Sequence, residues 1–348
     1  MKDFTSPAIF RGRFGSPTQS SIIAFSVTLL LTVTILACAT GSFQLPILSL
    51  LMGTSTELQA TVMLDIRLPR VILSALVGGS LGLSGAALQG LFRNPLADPG
   101  LIGVSAGAAL GAALVIVLSP AGLANSFLGP FLLPIAGMCG AAAVILMLYL
   151  LTKGFGYQGV TYMLLAGIAV NAITGVAIGI LTYVSSDAEL RTLTFWTMGS
   201  FGGVTWNLLV PAVFVIVWAI LYMLPVYRQL DLIQLGELEA VRLGVDVVRL
   251  KYRIILSCAA AVGASVAIAG MIGFIGLVVP HLVRLIGGVN HNYVLPGSAI
   301  LGAGLMVSAD LVARMLIQPA ELPVGLITSA IGSPFFLWLI FRIKKNDY

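Results

Sequence analysis

Hydrophobic positions in this chain come in long unbroken runs separated by short polar stretches. A helix needs about 20 apolar residues to cross a bilayer, and charge-free runs of that order recur from one end of the chain to the other. They predict helices near 21–41, 71–92, 100–118, 130–152, 160–183, 205–226, 253–270, 272–287, 295–315 and 322–341. The polar/apolar alternation of a membrane β-barrel is missing. The third and fourth spans share one uncharged run, divided by Pro120, Pro130 and Pro134. Ile254 to Val283 also carries no Lys, Arg, Asp or Glu, but Gly270, Gly273, Gly276 and Pro280 predict a break and a short second helix. The expected fold class is therefore all-α, a polytopic membrane protein with ten transmembrane helices.

Composition agrees. Hydrophobic residues make up 59% and charged residues 9% of the 348 positions, against roughly 45–50% apolar in globular domains. The net charge of +5 reads as basic cytoplasmic loops, not as a nucleic-acid surface. Both tails are basic, with Lys2, Arg11 and Arg13 at one end and Arg342, Lys344 and Lys345 at the other. Segments 1–20 and 342–348 are thus expected as cytoplasmic tails around a single transmembrane domain, 21–341, with an even number of crossings. With ten crossings, all but four of the 18 Lys and Arg fall inside; the exceptions are Arg67, Arg70, Arg191 and Arg314. The run from Ile22 to Ala39 exceeds the h-region of a signal peptide, so an uncleaved first span is expected. Cys38, Cys139 and Cys258 lie in apolar runs without metal or disulfide spacing, which suits packing residues.

Several local patterns stand out. Asn94-Pro95 and Asp98-Pro99-Gly100 form a tight double turn between spans two and three. Gly103, Gly107 and Gly111 then bare one face of the third helix for close packing. "VGGSLGLSGA" from Val77 and "VGASVAIAGM" from Val262 share Val, Gly, Ser and Gly, and lie in spans of opposite direction, as an inverted repeat would. Between spans six and seven, "LGELEAVRLGVDVVRLK" concentrates charge. Leu235, Leu238, Val241, Val245 and Val248 recur there at helical spacing, predicting short amphipathic helices at about 231–250 with one apolar face. A face with no core of its own should dock into a partner.

The double-turn run "GLFRNPLADPGLIGVSAGAALGAAL", with "RLPR" at Arg67, "LLAG" at Leu164, "GFIGLVVPH" at Gly273, "ADLVAR" at Ala309 and "ELPVGLITSAIGSPFFLWL" at Glu321, resembles the FecCD family. These are permeases of bacterial ABC importers for iron-siderophores, haem and cobalamin. The resemblance covers nearly the whole chain from about residue 60. It implies the inverted-repeat, type II ABC importer permease fold in the inner membrane, with both termini cytoplasmic. It also implies a second copy of the chain, two cytoplasmic ATPase subunits and a periplasmic substrate-binding protein. ATP and Mg would sit on the ATPase; this chain has no GxxxxGK[ST] and is expected to hold no cofactor and do no bond chemistry.

Residue roles follow from the same resemblance. Gly236, Glu237, Glu239, Ala240, Arg242, Leu243 and Gly244 match the family's ATPase-coupling helices, with the glycines, Ala240 and Leu243 packing and the charges tuning the contact. Arg67, Arg70 and Arg314 match arginines that meet acidic residues of the binding protein. Span five resembles the pathway helix, placing Val160 and Thr161 at a cytoplasmic gate and Leu164, Gly167 and Asn171 along the path. Arg191, beside Asp187 and Glu189, is expected to form a local ion pair or to touch cargo. His281 and His291 are expected to be structural contacts near the ATPase side. Asp310 and Arg314, four apart on span nine, can pair on one face.

The function expected is a binding-protein-dependent ABC import permease. "NPLADPGLIGVSAGAALGAA" and "TFWTMGSFGG" look most like haem permeases, with ferric siderophore and cobalamin as alternative cargoes. An ion-coupled secondary transporter would need an ionisable residue at the bilayer midplane, and only Asp310 comes near. A membrane-embedded enzyme lacks support, since no metal motif or nucleophile–base pair is present.

Overall fold

The structure, a computed structural model, describes residues 17–41, 56–120, 126, 128–152 and 159–346, except the side chains of 17–18, 152, 159–161, 339–340 and 342–346. Most of the expected N-terminal tail lies outside this set, whereas residues 342–346 of the expected C-terminal tail belong to a helix. Among the described residues every regular element is helical. In chain order they begin with α1 (Pro17–Ala39), α2 (Glu57–Thr61), a π-helical turn (Val62–Arg67), α3 (Leu68–Phe92) and α4 (Val104–Leu118). Next come α5 (Gly129–Thr152), α6 (Gly159–Val184), α7 (Asp187–Thr197) and α8 (Trp206–Met223). The short α9 (Tyr227–Ile233) and α10 (Glu237–Arg242) precede α11 (Val247–Ala269), α12 (Ile275–Gly287), α13 (His291–Met315) and α14 (Val324–Asn346).

Seven of these stretches are long and apolar enough to cross a membrane, and three shorter apolar helices, α4, α12 and the Val324–Trp338 part of α14, occupy the remaining expected positions. The predicted break between spans seven and eight is present: α11 stops at Gly270, which has φ +71° and packs so tightly that a Cβ there would overlap Trp196 O. Helix α12, at 13 residues, is only about 20 Å long. Two boundaries differ from expectation because polar caps start helices well before the apolar runs begin. Asp246 caps α11 through Arg249 N at 2.9 Å, starting it at Val247. Thr56 and Gln59 form a capping box that starts the helical run leading into α3.

The core is built around α3. Leu73, Val77, Leu83, Ala86, Ala87 and Leu88 are buried, and α3 packs on α11, α12 and α13. Backbones touch where α3 meets α13: a Cβ on Gly78 would overlap Gly302 O, and one on Gly302 would overlap Gly78 O. Small residues permit this approach, which supplies dispersion contact where lipid supplies no hydrophobic drive. The glycine face of α4 behaves likewise, with Gly107 against Gly140 and Gly111 against Ala136 on α5. Outward faces are apolar: Phe25, Leu31, Ile173 and Phe214 are all exposed, as expected of a surface that meets lipid.

Candidate coupling and docking sites

The segment between α8 and α11 turns twice on glycines with positive φ, Gly236 at +115° and Gly244 at +87°, conformations that glycine adopts without a Cβ penalty. Leu230, Ile233, Ala240, Val245 and Val247 point into the chain and are buried. Leu235 (65% exposed), Leu238 (70%), Val241, Leu243 and Val248 point out. The face expected from periodicity is thus split. Val245 belongs to the inner side, because the turn at Gly244 breaks the helix and resets its phase. Of the residues expected to pack, Ala240 packs against its own chain, while Leu243 is open. Around Gly236 and Gly244 nothing lies within 4 Å of where a Cβ would stand.

Polar contacts tie this segment down. Buried Lys251 holds Glu237 at 2.7 Å, and Arg242 pairs with Glu239 on the surface. Asp231 Oδ1 lies 2.6 Å from His291 Nδ1 and accepts from His291 N at 3.0 Å. Gln234 Nε2 donates to Gly90 O at 2.8 Å. The segment is therefore joined to the ends of α3 and α13. His291 has the structural contact expected of it, and His281 stacks edge-on against Phe335 at 6.0 Å.

At the opposite end of α3 the three arginines are buried: Arg67 is 4% exposed, and Arg70 and Arg314 are 7% exposed. Arg67 Nη1 donates to Cys38 O at 2.7 Å and Ala39 O at 2.9 Å, and Arg314 Nη2 donates to Ala37 O at 3.1 Å. Both cations thereby satisfy carbonyls left open at the C-terminus of α1, where the helix dipole favours them. Arg70 grips Asp310 through Nε and Nη2, the shortest contact being 2.8 Å, and reaches Glu321 with Nη1 at 2.8 Å. Asp310 also pairs with Arg314 at 3.2 Å. Sequence reasoning paired Asp310 with Arg314 but missed Arg70 and Glu321, which are far apart along the chain. Arg191 forms no ion pair among the described residues; it lies over the Phe195 ring, and Glu189 instead caps Ser186 N at 2.8 Å.

On α6 the predicted path residues face two ways. Gly167 packs against the backbone of Leu101 and Ile102, and Asn171 Nδ2 donates to Gly100 O at 3.2 Å. Both therefore clamp the 3-10 turn Pro99–Ile102, which Asp98 caps through Gly100 N at 2.7 Å. Burial pushes the Asp98 carboxyl up, against the lowering pull of that N–H. Leu164 is half-buried, and Leu165, Ile168, Val176 and Ile180 are exposed on the uncovered side. The side chains of Val160 and Thr161 lie outside the described residues.

The profile of the FecCD transport family matches residues 29–342. The chain belongs to the FecCD transport family. This FecCD permease is 43% identical over 334 residues to the hemin transport system permease HmuU of Yersinia pestis, covering 93% of this chain and 96% of that one. It is 37% identical over 332 residues to the vitamin B12 import permease BtuC of Vibrio parahaemolyticus, covering 94% and 95%. A solved structure described as an inward-facing conformation of a metal-chelate type ABC transporter superposes with TM-score 0.81 at 31% identity, covering 93% of this permease and 99% of that chain. The all-α, many-span architecture is that of an ABC importer permease in a bacterial membrane.

Proposed function

We propose that this permease carries haem across the inner membrane as one half of a homodimer, served by two ATPase subunits and a periplasmic binding protein. The observation that carries the haem reading is the 43% identity to the hemin permease over nearly the full length of both chains. In this reading both termini are cytoplasmic, and ATP and Mg bind the ATPase alone. The outward apolar side chains Leu235, Leu238, Val241 and Leu243 seat the ATPase, because so much exposed apolar surface on a polar loop otherwise faces water. Gly236 and Gly244 shape that face, and Glu237, Glu239 and Arg242 brace it. The outer cluster of Arg67, Arg70 and Arg314 serves docking of the binding protein by fixing the surface around Glu321, since its guanidiniums are already committed within the chain. Cargo passes along the open side of α6, with the gate at Val160 and Thr161; Gly167 and Asn171 hold that helix to the Pro99–Ile102 turn.

The test is transport by the permease reconstituted with its ATPase and binding protein. Haem should stimulate ATP hydrolysis and enter vesicles only when ATP is supplied. Stimulation by a ferric siderophore or by cobalamin, with haem inert, would reassign the cargo. Uptake driven by an ion gradient without nucleotide would reject the whole reading. The ion-coupled alternative gains no support from Asp310, which is held between two guanidiniums instead of standing free to exchange a proton or ion.

A further inference from the structure

Beside the coupling segment a pocket of about 640 Å³ opens between the ends of α3, α9, α12 and α13. Its wall joins the exposed apolar face directly, since Gln234 lines it and Leu235 is the next residue. Two arginines line it. Arg284 donates to Gln89 Oε1, a neutral partner, and no carboxylate pairs with it among the described residues. Arg93 is exposed and makes no side-chain hydrogen bond or ion pair among the described residues. The one acid of the wall, Asp231, is taken by His291 at 2.6 Å. The pocket thus carries an excess of positive charge, with no carboxylate in its wall left over to answer the two guanidiniums.

Arg93 has a second peculiarity. It ends α3 with φ +51°, a left-handed cap where glycine or asparagine is the usual choice. A side chain with a Cβ is strained there, and it is the residue whose charge faces the pocket.

We infer that this pocket receives an acidic side chain of the ATPase subunit, an aspartate or glutamate that Arg93 binds, with Arg284 behind it, while Leu235 and Leu238 cover the adjoining apolar surface. A carboxylate from the same partner is favoured over a free anion because the pocket and the apolar face form one continuous surface. An arginine fork meets a carboxylate bidentately, which adds register to a contact that apolar side chains leave free to slide. This inference rests on the proposed seating of the ATPase at residues 235–243.

The test measures affinity of the cognate ATPase subunit for the permease in nanodiscs, at low and high salt. Because Arg93 is exposed, its variants should fold, and thermal unfolding checks that they do. Arg93→Glu should weaken binding roughly tenfold or more, with a smaller loss at high salt as screening grows. Arg93→Lys should keep part of the affinity. Replacing one acidic residue of the ATPase with arginine should restore binding to Arg93→Glu. Leu238→Asp tests the underlying reading separately. If Leu238→Asp abolishes binding while Arg93→Glu leaves it unchanged, the pocket assignment is overturned and the docking face stands. If Leu238→Asp leaves binding unchanged, the docking reading falls and the pocket assignment with it. The comparison is repeated in discs with and without anionic lipid. A loss confined to anionic discs would give the pocket to a lipid headgroup and overturn the assignment.

Discussion

Ser80 Oγ and Ser265 Oγ lie 3.1 Å apart where α3 packs on α11, both shielded from solvent. They are also the matching serines of the two similar sequence stretches that begin at Val77 and Val262. For two inverted repeats, contact between equivalent residues puts the pseudo-twofold axis between them. An internal similarity of only a few residues is thus given a physical location.

Ser80→Ala should therefore be mild. Each serine also bonds to its own helix, at Val77 O and Ala261 O, and interhelical bonds of this kind average about 0.6 kcal/mol. Gly78→Leu, two residues away on the face turned towards α13, should be severe, because no space exists beside Gly302 O. Overpacking of this sort costs about 1–3 kcal/mol or more. Thermal unfolding of the purified permease in detergent distinguishes the two; equal shifts would argue against the close α3–α13 crossing.

The outer cluster predicts a graded series. Asp310→Ala leaves Arg70 and Arg314 buried without their main carboxylate and should cost about 3–5 kcal/mol. Glu321→Gln should cost about 0–1 kcal/mol, since that carboxylate is 48% exposed and solvent screens the pair. Unfolding midpoints would check the order. For the same reason, reversing the charge of Arg70 should damage folding before it reports on docking, so Glu321 is the better position for probing the binding protein.

Gly244→Trp should sever ATP hydrolysis from transport. The residue sits at φ +87° on an open surface, so the substitution strains the turn by about 1–2 kcal/mol and places a bulky ring beside Leu243. The permease should fold and reach the membrane yet lose most cargo-stimulated ATP hydrolysis. Normal ATP-driven uptake in this variant would count against the docking face.

Asn171→Leu should act on stability more than on transport. It deletes the bond to Gly100 O, worth about 0.6 kcal/mol, while its side chain points at the Pro99–Ile102 turn. Cargo-stimulated ATP hydrolysis should stay within roughly twofold of the parent, since tenfold in rate takes about 1.36 kcal/mol and the lost bond is worth less than half of that. A large change in transport with unaltered unfolding would return Asn171 to the path.

The spans were legible because a bilayer demands continuous apolar runs, and the break before α12 because glycines clustered ahead of Pro280. Helix α7 went unpredicted although its start is signalled by Ser186 and Glu189, which form a capping box; its low hydrophobicity hid it from a search for spans. The sequence points to Arg67, Arg70 and Arg314 but, taken alone, suggests an open docking surface for them. Their partners, Asp310, Glu321 and the carbonyls of α1, are separated from them by up to 277 positions, and one-dimensional patterns carry no trace of such contacts. Ala240 was singled out for packing, yet only the fold reveals that it packs inward.

The pairing of α3 with α13 has a mechanical result. These two helices meet backbone to backbone at Gly78 and Gly302, are fastened at one end by Arg70 and Asp310, and rest His291 on Gly90 at the other. At Gly78 and Gly302 the backbones themselves are in contact, so sliding one helix past the other would first have to open this crossing. A displacement of α3 during transport would therefore carry α13 with it.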